Sequence, residues 1–270
     1  MAKDIPSYQK YHFVLVHGAG HGAWCWYKLR TLLEASGHQV TCIDLKSAGV
    51  DPTDFLAVET FEQFNEPLTT VMSNLPEDQK VVLVGHSVGG INITHALYKF
   101  PQKIQLIVYI AANMIRSGYN FTRLFELFEH LFGSEIANIF LPKWEFINKP
   151  GTNEAAGMIV KPEFQRMVFY NMSPVEDSTL ASMLLRPTPI KPLLKVEYDD
   201  EDADAVERVP RVYVRTLNDQ LMKQGLQDLM IKLWPPSKVY ATGSDHAAFF
   251  STPHELCRYL LEAATLFNNS

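Results

Sequence analysis

Six stretches of the chain are rich in apolar and β-branched residues and short enough to be strands. They run over 12–17 (HFVLVH), 38–43 (HQVTCI), 81–84 (VVLV), 104–110 (IQLIVYI), 211–216 (RVYVRT) and 238–241 (KVYA). Continuous rather than alternating apolar character marks strands covered on both faces, as in a parallel sheet. Between them the apolar positions recur every three or four residues. Trp26, Leu29, Leu32 and Leu33 predict a helix over 24–36, stopped by Gly37. Further helices are predicted over 61–74, 88–99 and 253–266, the last with Leu256, Tyr259, Leu260, Ala263, Ala264 and Phe267 at helical spacing. This alternation predicts an α/β fold, with a mostly parallel central sheet flanked by helices.

The pattern changes after residue 112. The segment 113–188 is aromatic, with Phe121, Phe125, Phe128, Phe132, Phe140, Trp144, Phe164, Phe169 and Tyr170, and is broken by Pro142, Pro150, Gly151, Gly157, Pro162 and Pro174. It predicts a helical cap inserted between core segments 1–112 and 189–270. Such an insertion is expected over the strand ends, where it can wall an apolar pocket. Trp24, Phe140, Trp144, Met158 and Phe164 are the candidate pocket residues, with ordinary core packing as the alternative for each.

One motif turns this architecture toward chemistry. Gly85-His86-Ser87-Val88-Gly89 directly follows the strand at 81–84 and opens a helix. In that setting Gly-x-Ser-x-Gly reads as a nucleophile elbow, a turn so sharp that side chains two residues from the serine would clash. A serine hydroxyl needs a general base, and the base an orienting acid. Asp219 follows the strand at 211–216 and His246 follows the strand at 238–241, which places both at the same sheet edge as Ser87. Asp245 is adjacent to His246 and cannot easily reach around to its Nδ1; Asp44 ends an early strand and reads as a loop cap. The first loop, Gly18-Ala19-Gly20, and the residue after the serine offer the Ala19 and Val88 amides as an oxyanion hole.

Composition narrows the picture further. The 270 residues are 47% hydrophobic and carry a net charge of -6 without a Lys/Arg block, which argues against a nucleic-acid partner. Three cysteines without C-x-x-C spacing suit a reducing compartment rather than a disulfide framework or zinc site. With no signal-type apolar region at the N-terminus and no long uncharged run, a cytoplasmic location and no membrane contact are expected. The acidic run 199–204 lacks the punctuation of a calcium loop and reads as solvated. Gly18-Ala19-Gly20-His21-Gly22 is not a dinucleotide fingerprint, and no H-E-x-x-H or P-loop occurs, so neither cofactor nor metal is expected.

The stretches at 12–29, G-H-S-V-G-G at 85–90, S-P-x-E-D at 173–177, L-L-R-P at 184–187, D-H at 245–246 and P-x-E-L-C-x-Y-L-L at 253–261 together resemble the plant methylesterase and hydroxynitrile lyase family of α/β-hydrolases. The resemblance runs from about residue 11 to 266 and is nearest to the methylesterase branch. It implies a Ser87–Asp219–His246 triad, the Ala19 and Val88 oxyanion hole, a helical cap and often a homodimer. Hydroxynitrile lyases of this family carry threonine and lysine at the positions of Gly18 and Ala247, so the resemblance implies ester hydrolysis rather than cyanohydrin cleavage. The implied substrate is a methyl ester of a small or medium apolar plant metabolite, a phytohormone or indole alkaloid ester. In the alkaloid branch, a β-keto or β-formyl acid product could then decarboxylate. The competing expectations are a carbon–carbon lyase and a ligand receptor on a hydrolase scaffold. Departures from the family pattern are Gly20 in place of cysteine, Asn218 in place of glutamate, no proline in 220–223, and Arg215 within a strand.

Overall fold

The first strand, β1 (His12–Val16), is wholly buried and lies between β2 (Gln39–Ile43) and β3 (Val81–His86). With β4 (Ile104–Ile110) and two later strands it forms a six-stranded sheet in which every pair is parallel. The computed structural model describes residues 9–119, 122–123, 126–127, 130, 141–196, 198 and 202–268. The predicted cap residues Phe121, Phe125, Phe128, Phe132 and Phe140, and residues 199–201 of the acidic run, lie outside these.

The helices fall where the periodicity places them. A 3-10 turn at Ala23–Trp26 leads into α1 (Tyr27–Ala35), and α2 spans Phe61–Asn74. Thr60 and Gln63 form a reciprocal capping box at the start of α2, satisfying two of its free N–H groups. After the elbow comes α3 (Gly89–Lys99).

Past β4 the structure departs from a purely helical insertion. A separate antiparallel sheet is built from β5 (Trp144–Asn148), β6 (Ala155–Val160) and β7 (Thr188–Pro189). Pro150 and Gly151, read above as breaks in helices, form a hairpin turn instead: Lys149 N–H donates to Glu154 O at 2.9 Å, and Gly151 takes a φ of 75°. Helices α4 (Pro162–Phe169) and α5 (Val175–Leu184) complete this region.

The chain returns through α6 (Ile190–Leu194) and α7 (Ala203–Arg208), where Asp202 of the acidic run caps α7 by accepting from Ala205 N at 3.0 Å. It ends with β8 (Arg211–Thr216), α8 (Gln224–Leu233), β9 (Lys238–Thr242), α9 (Ala248–Ser251) and α10 (Pro253–Leu266). The sheet order is β2-β1-β3-β4-β8-β9.

Successive residues of the central strands feed two separate cores. Val14, Leu83, Ile107 and Tyr213 pack with α2, α3 and α8 side chains such as Leu68, Ile91 and Met230. Phe13, Leu15, Val84, Val108 and Val214 pack with Leu29 and Leu33 of α1 and Leu256 and Leu260 of α10. Burial on both faces explains the continuous apolar strands, and it leaves the C-terminal strand ends as the place for polar chemistry.

Candidate active site

Ser87 sits between β3 and α3 with a φ of 54°, a left-handed conformation rare outside glycine. The backbone around it tolerates only glycine. A Cβ on Gly89 would stand 2.4 Å from His17 O, and one on Gly90 2.6 Å from Asn113 O. The strain is held in place by Ser87 N–H donating to Ile110 O (3.2 Å) and Asn113 N–H donating to Ser87 O (3.0 Å).

Asp219 and His246 meet as the spacing predicts. His246 Nδ1–H donates to Asp219 Oδ2 at 2.7 Å, with both side chains buried. The acid is fixed from three further directions: Leu221 N–H and Met222 N–H donate to Oδ1, each at 2.8 Å, and Thr216 Oγ1 donates to Oδ2 at 2.9 Å. A chain segment without proline keeps both main-chain donors. His246 Nε2 is buried and has no hydrogen-bond partner among the described residues, so the nitrogen a serine proton would need is free. The Ser87–His246 hydrogen bond is not made here, a bond that in free enzymes commonly tightens only with substrate.

Sequence reasoning gave the neighbouring residues smaller parts, and the structure shows what they hold. His86 Nε2–H donates to His246 O at 2.8 Å, and the two rings lie 4.5 Å apart. Phe169 also stacks on His246, with ring centroids 5.7 Å apart. Asp245, fully buried, does not turn back to His246 Nδ1. It accepts from Met172 N, Ser173 N, Ser173 Oγ, Ala247 N and Ser251 Oγ, all within 2.7–3.1 Å, and so ties the segment between α4 and α5 to the histidine loop. Gln227 was not singled out from sequence. It accepts from Thr216 N and donates to Thr216 O, Thr216 Oγ1 and Met222 O, bracing the turn that carries Asp219. Asp44 is the loop cap expected of it, accepting from Ala23 N (2.6 Å) and Val50 N (3.3 Å).

The departures find partners too. Arg215 reaches out of β8 to Asp228 at 2.7 Å. Asn218 joins the acid and histidine loops, its N–H donating to Ser244 O (2.9 Å) and its Nδ2 to Gly243 O (2.8 Å).

In the first loop, His17 Nδ1–H and His21 N–H donate to Gly18 O, and His21 Nδ1–H donates to Ala19 O. Tyr170 O–H donates to His21 Nε2 at 2.7 Å, and burial pushes the His21 pKa down to about 3. His21 is thus a neutral framework residue. By contrast, the Ala19 and Val88 N–H groups donate to no acceptor among the described residues. Val88 directly follows the serine and shares one small cavity with Ala19, so two free amides there suit a developing oxyanion.

The candidate pocket residues are placed as follows. Trp24 stacks on His21 at 5.5 Å and on Phe250 at 6.4 Å. Trp144 meets Phe169 edge-on at 6.3 Å, which sets it one ring away from His246. Met158 lies opposite Phe146 and Thr188 in the small sheet, and Phe164 packs against the core formed with α1 and α10. No helix among the described residues is long and apolar enough to cross a membrane, and no group of three or more metal-ligating side chains occurs among them.

The chain is similar to known proteins over nearly its whole length. The model of the Alpha/beta hydrolase family matches residues 13–259. Methylesterase 18 of Arabidopsis thaliana is 45% identical over 262 residues, covering 95% of this chain and 98% of its own. The crystal structure of a methylesterase, MES16 from Arabidopsis, superposes with a TM-score of 0.82 at 42% identity, over 95% of this chain and 99% of that one. That of polyneuridine aldehyde esterase superposes with a TM-score of 0.85 at 33% identity, over 94% and 99%. Fold, elbow and likeness over nearly the full length lead to one assignment: the chain belongs to the α/β hydrolase family and, within it, to the plant methylesterases, which are carboxylic ester hydrolases.

Proposed function

We propose that this chain hydrolyses the methyl ester of a small or medium apolar plant metabolite, a phytohormone or an indole alkaloid, with Ser87 as nucleophile. The observation that carries the reading is the His246 Nδ1–Asp219 bond at 2.7 Å with Nε2 left free, beside a serine held at a φ of 54°. His246 Nε2 takes the Ser87 proton as Oγ attacks the ester carbonyl. Asp219 keeps the imidazole in the Nδ1–H tautomer and steadies the imidazolium that forms. The Ala19 and Val88 amides receive the oxyanion, each such donor contributing about 3 kcal/mol to lowering the barrier. Methanol leaves with the proton from His246, and water, activated by the same nitrogen, then cleaves the acyl-serine.

Aromatic neighbours such as Phe169 and Trp144 support an apolar acyl group over a charged one. Gly18 supplies no hydroxyl and the buried Ala247 no cation, which favours hydrolysis over cyanohydrin cleavage. The buried thiols of Cys25 and Cys257 suit work in the cytosol, and the exposed Val175 and Met183 of α5 would suit a homodimer. A panel of methyl esters (salicylate, jasmonate, indole-3-acetate and indole alkaloid esters), assayed for free acid and methanol, tests the reading. Equimolar acid and methanol from at least one ester is the expected result. Acid followed by carbon dioxide would mark a decarboxylating product, whereas substrate cleavage without methanol would overturn the assignment in favour of a lyase.

A further inference from the structure

The oxyanion loop is held by the segment that leads out of the cap. Ala19 lies between two glycines, Gly18 and Gly20, and Gly20 has a φ of 77°, so local sequence does little to fix the peptide planes on either side of Ala19. Tertiary contacts fix both. The plane before Ala19 is held at its carbonyl by His17 Nδ1 (2.8 Å) and His21 N (3.3 Å). In a trans peptide the N–H points opposite to the C=O, so these bonds aim the Ala19 N–H away from His17. The plane after Ala19 is held at both ends. Its carbonyl accepts from His21 Nδ1 at 2.8 Å, and its N–H, that of Gly20, donates to Thr188 Oγ1 at 2.7 Å. Arg186 N–H donates to Gly20 O at 2.9 Å, and the Arg186 guanidinium is itself anchored on the Gly49, Asp51 and Thr53 carbonyls.

Thr188 is buried and belongs to β7, where it pairs with Met158 of β6. Its hydroxyl therefore links the small sheet of the cap directly to the loop that carries Ala19. Thr188 and Arg186 also line one small cavity together with Gly18, Ala19, Gly20 and Val88. We infer that Thr188 is a positioning residue for ester hydrolysis, its hydroxyl setting the peptide after Ala19 and, through it, the oxyanion donor. This rests on the oxyanion role proposed above. Thr188 acts through Gly20, whose N–H its hydroxyl accepts.

The test pairs Thr188→Val, which keeps the shape and removes the acceptor, with Thr188→Ser, which restores it. An aryl trifluoromethyl ketone probes the tetrahedral state and the free product acid probes ground-state binding. The expected result for Thr188→Val is a kcat about tenfold lower at unchanged KM, a similar loss of trifluoromethyl ketone affinity, and unchanged affinity for the product acid. Thr188→Ser should recover both. Equal losses for ketone and acid, or no loss at all, overturn the positioning role. A crystal structure of the wild-type ketone adduct separates the two layers of the argument. An adduct oxygen on the Ala19 and Val88 amides, with Thr188→Val unaffected, overturns the positioning role alone. An adduct oxygen away from Ala19 overturns the oxyanion assignment and the inference with it.

Discussion

Replacing Asp219 by asparagine isolates what the acid does, because the surroundings dictate how the new amide must sit. Oδ1 of Asp219 receives two main-chain donors, Leu221 N and Met222 N, each at 2.8 Å. Turning the asparagine NH2 toward them would set donor against donor twice. Its oxygen must therefore stay there, and its Nδ2 must take the Oδ2 position, 2.7 Å from His246 Nδ1. The Thr216 hydroxyl, now 2.9 Å from Oδ2, can rotate and accept, so the turn keeps its contacts. His246 Nδ1 has no such choice: facing a donor it must accept, which moves the imidazole proton to Nε2. A protonated Nε2 cannot take the proton from Ser87. The same tautomer error in a serine protease costs about 10⁴-fold in kcat, or about 5.4 kcal/mol of barrier. Initial rates of methanol release at pH 7 read the effect, with circular dichroism confirming the fold. A loss of less than tenfold with an intact fold would refute Asp219 as the group that sets the histidine.

Three further outcomes follow from the same geometry. His17, His21 and His86 are buried, and desolvation holds each below its ordinary pKa of 6.5, His21 at about 3. Below pH 6.5 the unfolded chain therefore binds protons that the folded chain refuses, so stability falls with pH, by up to about 4 kcal/mol per pH unit when all three contribute. Urea titrations at pH 7, 6 and 5 should show this decline, and a flat profile contradicts it. Gly18→Thr places a Cβ 2.8 Å from Ser87 Cβ and 3.0 Å from His86 Nδ1, so it should displace the nucleophile and cut ester turnover about 100-fold without gaining cyanohydrin cleavage. Retained hydrolysis in that variant would show that the elbow has room. Asp245→Ala strands the Met172 and Ser173 amides and should cost about 3 kcal/mol, a drop in Tm of about 5 °C by calorimetry; an unchanged Tm speaks against a clamp between the cap and the histidine loop.

Much of the sheet and of the candidate site is legible in the sequence because each feature is local. Strand β4 reads as IQLIVYI without a break, and α2 opens on Thr60 with Gln63 three residues later. The elbow is five consecutive residues, and Asp219 and His246 each follow a recognisable strand. The small sheet is not legible in the same way. Trp144–Asn148 mixes exposed and half-buried positions, Ala155–Val160 is low in β-branched residues, and the Pro150-Gly151 turn between them looks equally like a helix break. The supporting residues are harder still. Thr188 meets Gly20 across 168 positions and Asp245 meets Ser173 across 72, and a lone hydroxyl or carboxylate carries no periodic signal for contacts made only in the folded chain. Gln227, 11 residues from Thr216, looks from sequence like any other helical polar residue until the fold buries it.

The central claim is that Ser87 is the nucleophile, and a fluorophosphonate probe with mass mapping tests it most directly. The account predicts one stoichiometric adduct on Ser87, formed with loss of fluoride, slowed in Asp219→Asn and absent in a folded Ser87→Ala. An adduct on another residue, or none in a protein that still turns over methyl esters, would contradict it.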